Sequence, residues 1–327
     1  MANIPDLRAA MAGVIADYRA GEIPTPNAAH VDRWISQFPE AVRDPILAEL
    51  LHVFRWTYFS RAKVQTFIDG IVTSAKIGGE NPCGFWQGVK VLRLQEAGNS
   101  QKDMLALLAE SLHRQCGLAM DACGSTPHTY LYLDDAVFSG GRVRSDLIKW
   151  VKDTSPANIK LAVLVIGSHR LGEWYSAKKI REAAQAAGKT IDLTWWRAVT
   201  FEDRKAQTDN SDVLRPTLIP ADAATQAYAA NLGEAPILRT VGGKSPIGIF
   251  SDEAGRHLLE QEFLVGGVRV RGMCPHFNEF MRPLGNMLFK SLGFGSMIVT
   301  YRNCPNNAPL VFWAGNPWYP LFPRKTN

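Results

Sequence analysis

"YLYLDDAVFSGGRV", residues 130–143, decides the fold. The apolar run Tyr130–Leu133 ends in two adjacent carboxylates, Asp134 and Asp135. Ser139, Gly140 and Gly141 follow, and a helix-like pattern starts near Val143. Strand, small-residue turn, helix is the first half of a crossover between parallel strands. In an open parallel sheet, ligands bind outside the carboxyl ends of the strands. The acids and the turn therefore stand where a ligand is expected. Backbone N–H groups at a glycine turn opening a helix suit a phosphate. Paired carboxylates suit vicinal hydroxyls, because a charged acceptor strengthens each bond. A sugar phosphate presents both features, anion at one end and diol at the other. The plain alternative is a turn acid followed by a helix cap.

Outward from this stretch, strands and helices alternate. Upstream lie a strand in "GVKVLRLQ", a loop in "EAGNS" and a helix in "QKDMLALLAESLHRQ" with Met104, Leu107, Leu108 and Leu112 inward. Downstream come a helix through Val143, Leu147, Ile148 and Val151, then "IKLAVLVIG", almost wholly apolar as a doubly covered strand must be. The helix "SAKKIREAAQAAG" and the strand "TIDLTWWRAV" complete the series. Right-handed crossovers make this an α/β fold with a doubly wound, mainly parallel sheet.

The first quarter reads as helices instead. Leu7, Met11, Val14, Ile15 and Tyr18 share one face with Gly21 as the cap, and Val31, Trp34, Ile35 and Phe38 share another. Asp44 and Pro45 read as the cap and first position of a third helix, and a fourth covers Arg61 to about Ser74. "KIGGENPCG" marks a boundary. Residues 1–78 are thus expected as a helical region, and 79–327 as an α/β domain with an irregular C-terminal extension, the whole forming one compact unit. That extension holds a helical stretch near "DEAGRHLLEQEFL". Its Pro-aromatic end, "NPWYPLFPR", reads as core packing or a strap rather than a base-stacking platform. Trp34, Trp56, Trp195 and Trp196 read as core.

A hydrophobic content of 46% with 20% charged residues excludes a disordered chain. The formal charge of +5, with Lys and Arg scattered, argues against a duplex-binding basic face but not against an anionic small ligand. "MANIPDLRAAMAG" carries Asp6 and Arg8 early and does not read as a signal peptide. No apolar run reaches the roughly 18 residues of a membrane span. Cys83, Cys116, Cys123, Cys274 and Cys304 form no C-x-x-C pair and read as free thiols in a reducing cytoplasm. No G-x-S-x-G or Cys–His context marks a nucleophile, and no G-x-G-x-x-G marks a dinucleotide fold.

The acidic pair, two residues, then small residues and Gly-Gly resemble the phosphoribosyl-diphosphate (PRPP) motif of type I phosphoribosyltransferases. The resemblance implies that Asp134 and Asp135 hold ribose hydroxyls and that Phe138, Ser139, Gly140, Gly141 and Arg142 hold the 5-phosphate. It further places Gly98, Asn99, Ser100 and Gln101 near the diphosphate and its Mg²⁺, which Asp134 and Asp135 reach through substrate or water. "HVDRWISQFPEAVRDPILAELLHVFRWTYFSR", "SDVLRPT" and "GFGSMIVTYRNCPNNAPLVFWAGNPWYPLFPR" narrow it. They look like the phosphoribosyltransferase-like domain of bacterial conflict systems, which accompanies retrons and other anti-phage modules. The implied protein is a cytoplasmic effector that transfers or cleaves a ribosyl bond on PRPP or a nucleotide. Its implied partners are a defence protein, a retron RNA–DNA or a second copy, and no membrane. The alternative is a non-catalytic nucleotide sensor or assembly module.

This chain departs from the family at Phe138 and Arg142, where ordinary members carry hydroxyl residues. Arg142 would contribute a charge-assisted bond to phosphate, and Phe138 would pack under the loop. No catalytic lid is evident. At the end of the next strand, His169 is either a substrate contact, a proton carrier or an internally satisfied histidine. Arg215, before Pro216, is a further phosphate-contact candidate.

Overall fold

The computed structural model describes residues 6–95, 100–205, 211–240, 248–274 and 276–324. Helices α1 (Leu7–Val14), α2 (Ala28–Ile35) and α3 (Glu40–Thr57) precede β1 (Tyr58–Phe59). Next come α4 (Arg61–Val72), α5 (Ala75–Gly78), α6 (Pro82–Gln87), β2 (Val89–Val91) and α7 (Ser100–Cys116). Then follow β3 (Thr129–Val137), α8 (Gly141–Asp153), β4 (Asn158–His169), α9 (Arg170–Ala186) and β5 (Thr190–Phe201). The remainder holds α10 (Ala223–Ala230), α11 (Glu253–Met273), β6 (Val299–Thr300) and α12 (Leu310–Trp313). Two compact units result: Arg61–Phe201, and Met1–Ser60 together with Glu202–Asn327. The 78/79 boundary suggested by composition is neither of the two divisions, because α4 and α5 belong to the α/β unit.

In that α/β unit four parallel strands lie in the order β2-β3-β4-β5. The order follows the chain, so the reversal that makes a crevice in a doubly wound sheet is not seen among the described strands. Val143, Leu147, Trp150 and Val151 of α8 recur at helical spacing and are buried. They share one core with Ala177, Ile180 and Ala184 of α9 and with Tyr132, Ile159, Leu161, Val163 and Val165 of the sheet. Burying one such side chain contributes about 1.5–3 kcal/mol.

β5 is an edge strand whose outward carbonyls at Leu193 and Trp195 accept guanidinium N–H groups from Arg181 and Arg197, a blunted edge. Cys83 and Cys116 are joined by a disulfide, their Cα atoms 5.4 Å apart, where free thiols were expected. The fold brings the start of α6 to the end of α7, a proximity that spacing in the chain does not reveal. The cysteines therefore carry no argument for a reducing compartment.

The flanking unit is built on rings. Trp34, Phe38, Phe54, Phe263, Phe312 and Phe322 pack at centroid distances of 5.1–6.4 Å. The C-terminal segment is a strap here: Trp318 donates to the Val311 carbonyl, and His30 bridges the Tyr319 hydroxyl and the Leu321 carbonyl. The third helix begins at Glu40, so Pro45 lies inside it and Asp44 accepts from Arg8 instead of capping. Trp56 is exposed at 63%, not core. Among the described residues, no helix is long and apolar enough to cross a membrane.

Candidate functional site

Of the residues singled out in the sequence, Asp134, Asp135, the turn at residues 138–142 and His169 gather at the carboxyl ends of β3 and β4, the candidate site. β3 does not stop at the acids but runs on to Val137, with Asp134 opposite Val165 and Ala136 opposite Gly167. Side chains alternate along a strand, so the two neighbouring carboxylates leave it on opposite faces. Asp134 is buried and Asp135 half-buried. Asp134 Oδ1 accepts the Asp135 amide at 2.9 Å, and Asp135 Oδ1 accepts the Ala136 amide at 2.7 Å. Asp134 Oδ2 accepts from Gln95 Nε2 at 2.8 Å, and the same amide nitrogen donates to the Tyr132 hydroxyl at 3.0 Å. Tyr132 in turn donates to Asp146 at 2.7 Å. Burial, then the nearby Asp134 charge, raises the Tyr132 pKa, so the hydroxyl stays protonated.

Gln95 was not anticipated from the sequence. It is positioned by Gln101, which accepts from the Leu94 and Gln95 amides at 3.0 and 3.1 Å and donates to the Leu133 carbonyl at 3.3 Å. Gln101 is therefore a buried strut rather than a diphosphate contact. Gly98 and Asn99 lie outside the described residues, and Ser100 opens α7.

The turn is moulded against α9. Gly140 has φ 71°, a left-handed conformation suited to glycine. A Cβ there would stand 2.0 Å from Ser176 Oγ and 2.7 Å from the Gly172 carbonyl oxygen. Gly172 is equally constrained, since its Cβ would fall 1.8 Å from the Phe138 carbonyl oxygen. Ser176 donates to the Gly140 carbonyl at 3.2 Å. Gly140 is the N-cap of the 13-residue α8 and supplies no side-chain cap. The first N–H groups of a helix lack intrahelical acceptors and carry its positive end. Ser139 and Arg142 are exposed beside them, and Gly141 is half-buried.

The Phe138 and His169 rings lie 5.3 Å apart at a tilt of 33°, and the Phe201 ring lies 5.5 Å from His169 at a tilt of 31°. Phe138 thus packs under the loop. His169 is buried, its Nδ1–H donates to the Val137 carbonyl at 3.1 Å, and burial lowers its pKa to about 4. It is an internally satisfied neutral ring, the plainest of the three readings. Arg215 belongs to the flanking unit, where its guanidinium donates to the Arg204 and Asp203 carbonyls. Among the described residues no group of three or more His, Cys, Asp or Glu could hold a metal ion.

A family model, PRTase-CE, matches residues 31–324. No curated protein and no solved structure matches the chain.

Proposed function

The chain belongs to the PRTase-CE family and is a phosphoribosyltransferase-like domain; on that premise we propose that it binds the ribose phosphate of PRPP or a nucleotide and transfers or cleaves a ribosyl bond. The observation that carries this is the α8 N-terminus, opened by a left-handed Gly140 with no side-chain cap and adjoined by Asp134 and Asp135. The phosphate would sit on the N–H groups of the Ser139–Arg142 turn. The half-buried Asp135 and the Gln95-oriented Asp134 would accept the ribose hydroxyls. Mg²⁺ is commonly held by one or two carboxylates plus substrate phosphates and keeps several waters. Two acids without a third fit that style, and the ion would neutralise a departing diphosphate. Breaking the C1 bond passes through an oxocarbenium-like state, so the residues act by positioning and charge placement. As part of the proposal we retain a cytoplasmic effector role in bacterial anti-phage defence, which rests on the sequence resemblance.

The test is Asp134→Asn/Asp135→Asn in the full chain, read by mass spectrometry of nucleotide pools after expression. Loss of the ribosyl product supports the assignment, and undiminished product overturns it. One observation favours a second reading, a nucleotide-binding sensor without catalysis. By the sequence resemblance, Phe138 fills a position where ordinary type I phosphoribosyltransferases carry a hydroxyl, and its ring packs on His169. Mg²⁺-dependent nucleotide binding with no product after long incubation would select that reading.

A further inference from the structure

Helices α8 and α9 carry eight Lys or Arg against four Asp or Glu, placing +4 of the chain's formal +5 on thirty residues. Three of the four acids are engaged: Asp146 by Tyr132, Glu173 by Ser168 at 2.7 Å and Arg197 at 3.3 Å, and Glu182 by Lys179 at 2.8 Å. The Lys and Arg residues remain scattered along the chain, but most of its net positive charge falls on these two helices.

Two large rings stand in the same place, Trp174 at 59% and Tyr175 at 40% exposed. Each lies beneath cations. Arg144 is 4.9 Å and Lys179 5.8 Å from the Tyr175 centroid, and Lys178 is 5.7 Å from that of Trp174. Arg144 also donates to the Ser139 carbonyl at 3.2 Å, which makes the patch continuous with the glycine turn. Arg170, exposed, extends the cationic row to the first turn of α9.

We infer that this face binds a single-stranded nucleic acid, with bases stacked on Trp174 and Tyr175 and phosphates paired with Arg144, Arg170, Lys178 and Lys179. Exposed rings interleaved with cations match the two chemistries of a single strand, π-faces and a regular anionic backbone. A duplex hides its base faces and would use the cations alone. An anionic membrane would call for an aliphatic face to insert, and the patch has only two rings. None of these residues is Asp134 or Asp135, so the inference stands apart from the ribosyl chemistry.

The experiment uses the full chain and a fluorescent single strand of about 16 nucleotides, near the upper site size of single-strand modules. Anisotropy is recorded between about 50 and 200 mM salt. Trp174→Ala/Tyr175→Ala should weaken binding about fivefold or more, the loss expected for one stacked base. Lys178→Gln/Lys179→Gln should flatten the log–log salt slope by about 1.4, or 0.7 per phosphate. Both variants change exposed side chains, and an unchanged thermal midpoint certifies folding. The inference is overturned by no binding at low salt, by duplex binding as tight as the single strand, by affinity indifferent to the ring variant, or by affinity for anionic vesicles alone. Failure of the Asp134/Asp135 variant to change ribosyl chemistry would leave it standing.

Discussion

In the flanking unit, buried Glu260 accepts from Arg239 at 2.8 Å, from Arg256 at 2.9 Å and from the Arg215 amide at 3.1 Å. In the α/β unit, the amides opening α8 meet no side-chain cap. Both regions gather polar groups on an apolar scaffold, but they use them differently. The Glu260 network is closed: Arg239 also donates to Glu253, and Arg256 donates to Ser211 and to the Val213 carbonyl. A closed network fixes structure and has little left for a ligand. The turn before α8 is packed against Gly172 and Ser176, and its N-cap Gly140 brings no side-chain cap to the helix. A candidate site is therefore better recognised by donors the fold leaves uncapped than by the amount of charge it buries.

The largest effect tests the closed side. Glu260→Ala leaves buried Arg256 without its ion-pair partner and Arg239 with Glu253 alone, which costs about 3–5 kcal/mol. Urea unfolding should show it as a lowered midpoint. A loss under about 1 kcal/mol would mean that the network behaves as a surface pair, and the contrast would fail.

Gly172→Ala tests the open side. The new methyl meets the Phe138 carbonyl, which belongs to the backbone and cannot swing away. Overpacking of this kind costs up to about 3 kcal/mol. The specific expectation is that ligand affinity falls further than stability, since the turn itself is displaced. Equal affinity in isothermal titration with a ribose phosphate would show that the turn does not hold the anion.

A pH experiment sharpens the comparison, because His169 lies beneath the turn. Its folded pKa of about 4 is below the ordinary value of 6.5. The unfolded chain therefore takes up the proton first, and stability present above pH 6.5 is lost as pH falls towards 4. Between neutrality and pH 5 the loss is about 2 kcal/mol. His169→Phe, a ring in place of one already packed on Phe138 and Phe201, should remove that part of the acid limb. Parallel pH profiles of the two proteins would place the destabilisation elsewhere.

Periodicity made the α/β unit legible. The apolar run of β4 and the spacings of α7, α8 and α9 are short-range signals that the sheet reinforces. Asp134, Asp135 and the glycines were legible for the same reason, lying on one continuous stretch. Gln95 was not, since its value comes from Gln101 holding its backbone and from Tyr132 and Asp134 meeting its side chain. Gly172 was hidden because only the packed turn shows what a methyl would strike. Cys83 and Cys116, 33 residues apart, and Trp56, exposed beside Arg55 on the outer face of α3, depend on tertiary placement that local pattern does not encode. Asp44 and Pro45 imitate a helix start, yet the turn beginning at Glu40 already precedes them.

The smallest effect isolates the support from the site. Ser176 Oγ donates to the Gly140 carbonyl at 3.2 Å, and that carbonyl also accepts the Arg144 amide at 2.9 Å. Ser176→Ala therefore orphans no acceptor and opens no large cavity, so the stability cost should lie near the lower end of about 0.5–1.5 kcal/mol. The hydroxyl matters more for where Gly140 sits than for whether the chain folds. If the turn holds an anion, Ser176→Ala should weaken ribose-phosphate binding by at least as much as it lowers stability, because a small displacement misaligns several N–H donors together. In that background a Gly140→Ala methyl no longer meets the Ser176 oxygen, but it still meets the Gly172 carbonyl at 2.7 Å and sits on the left-handed backbone. The double variant should thus remain worse than Ser176→Ala alone. If the two changes instead proved additive and silent in binding, the turn would be structural, and the uncapped amides of α8 would be an ordinary solvated helix end.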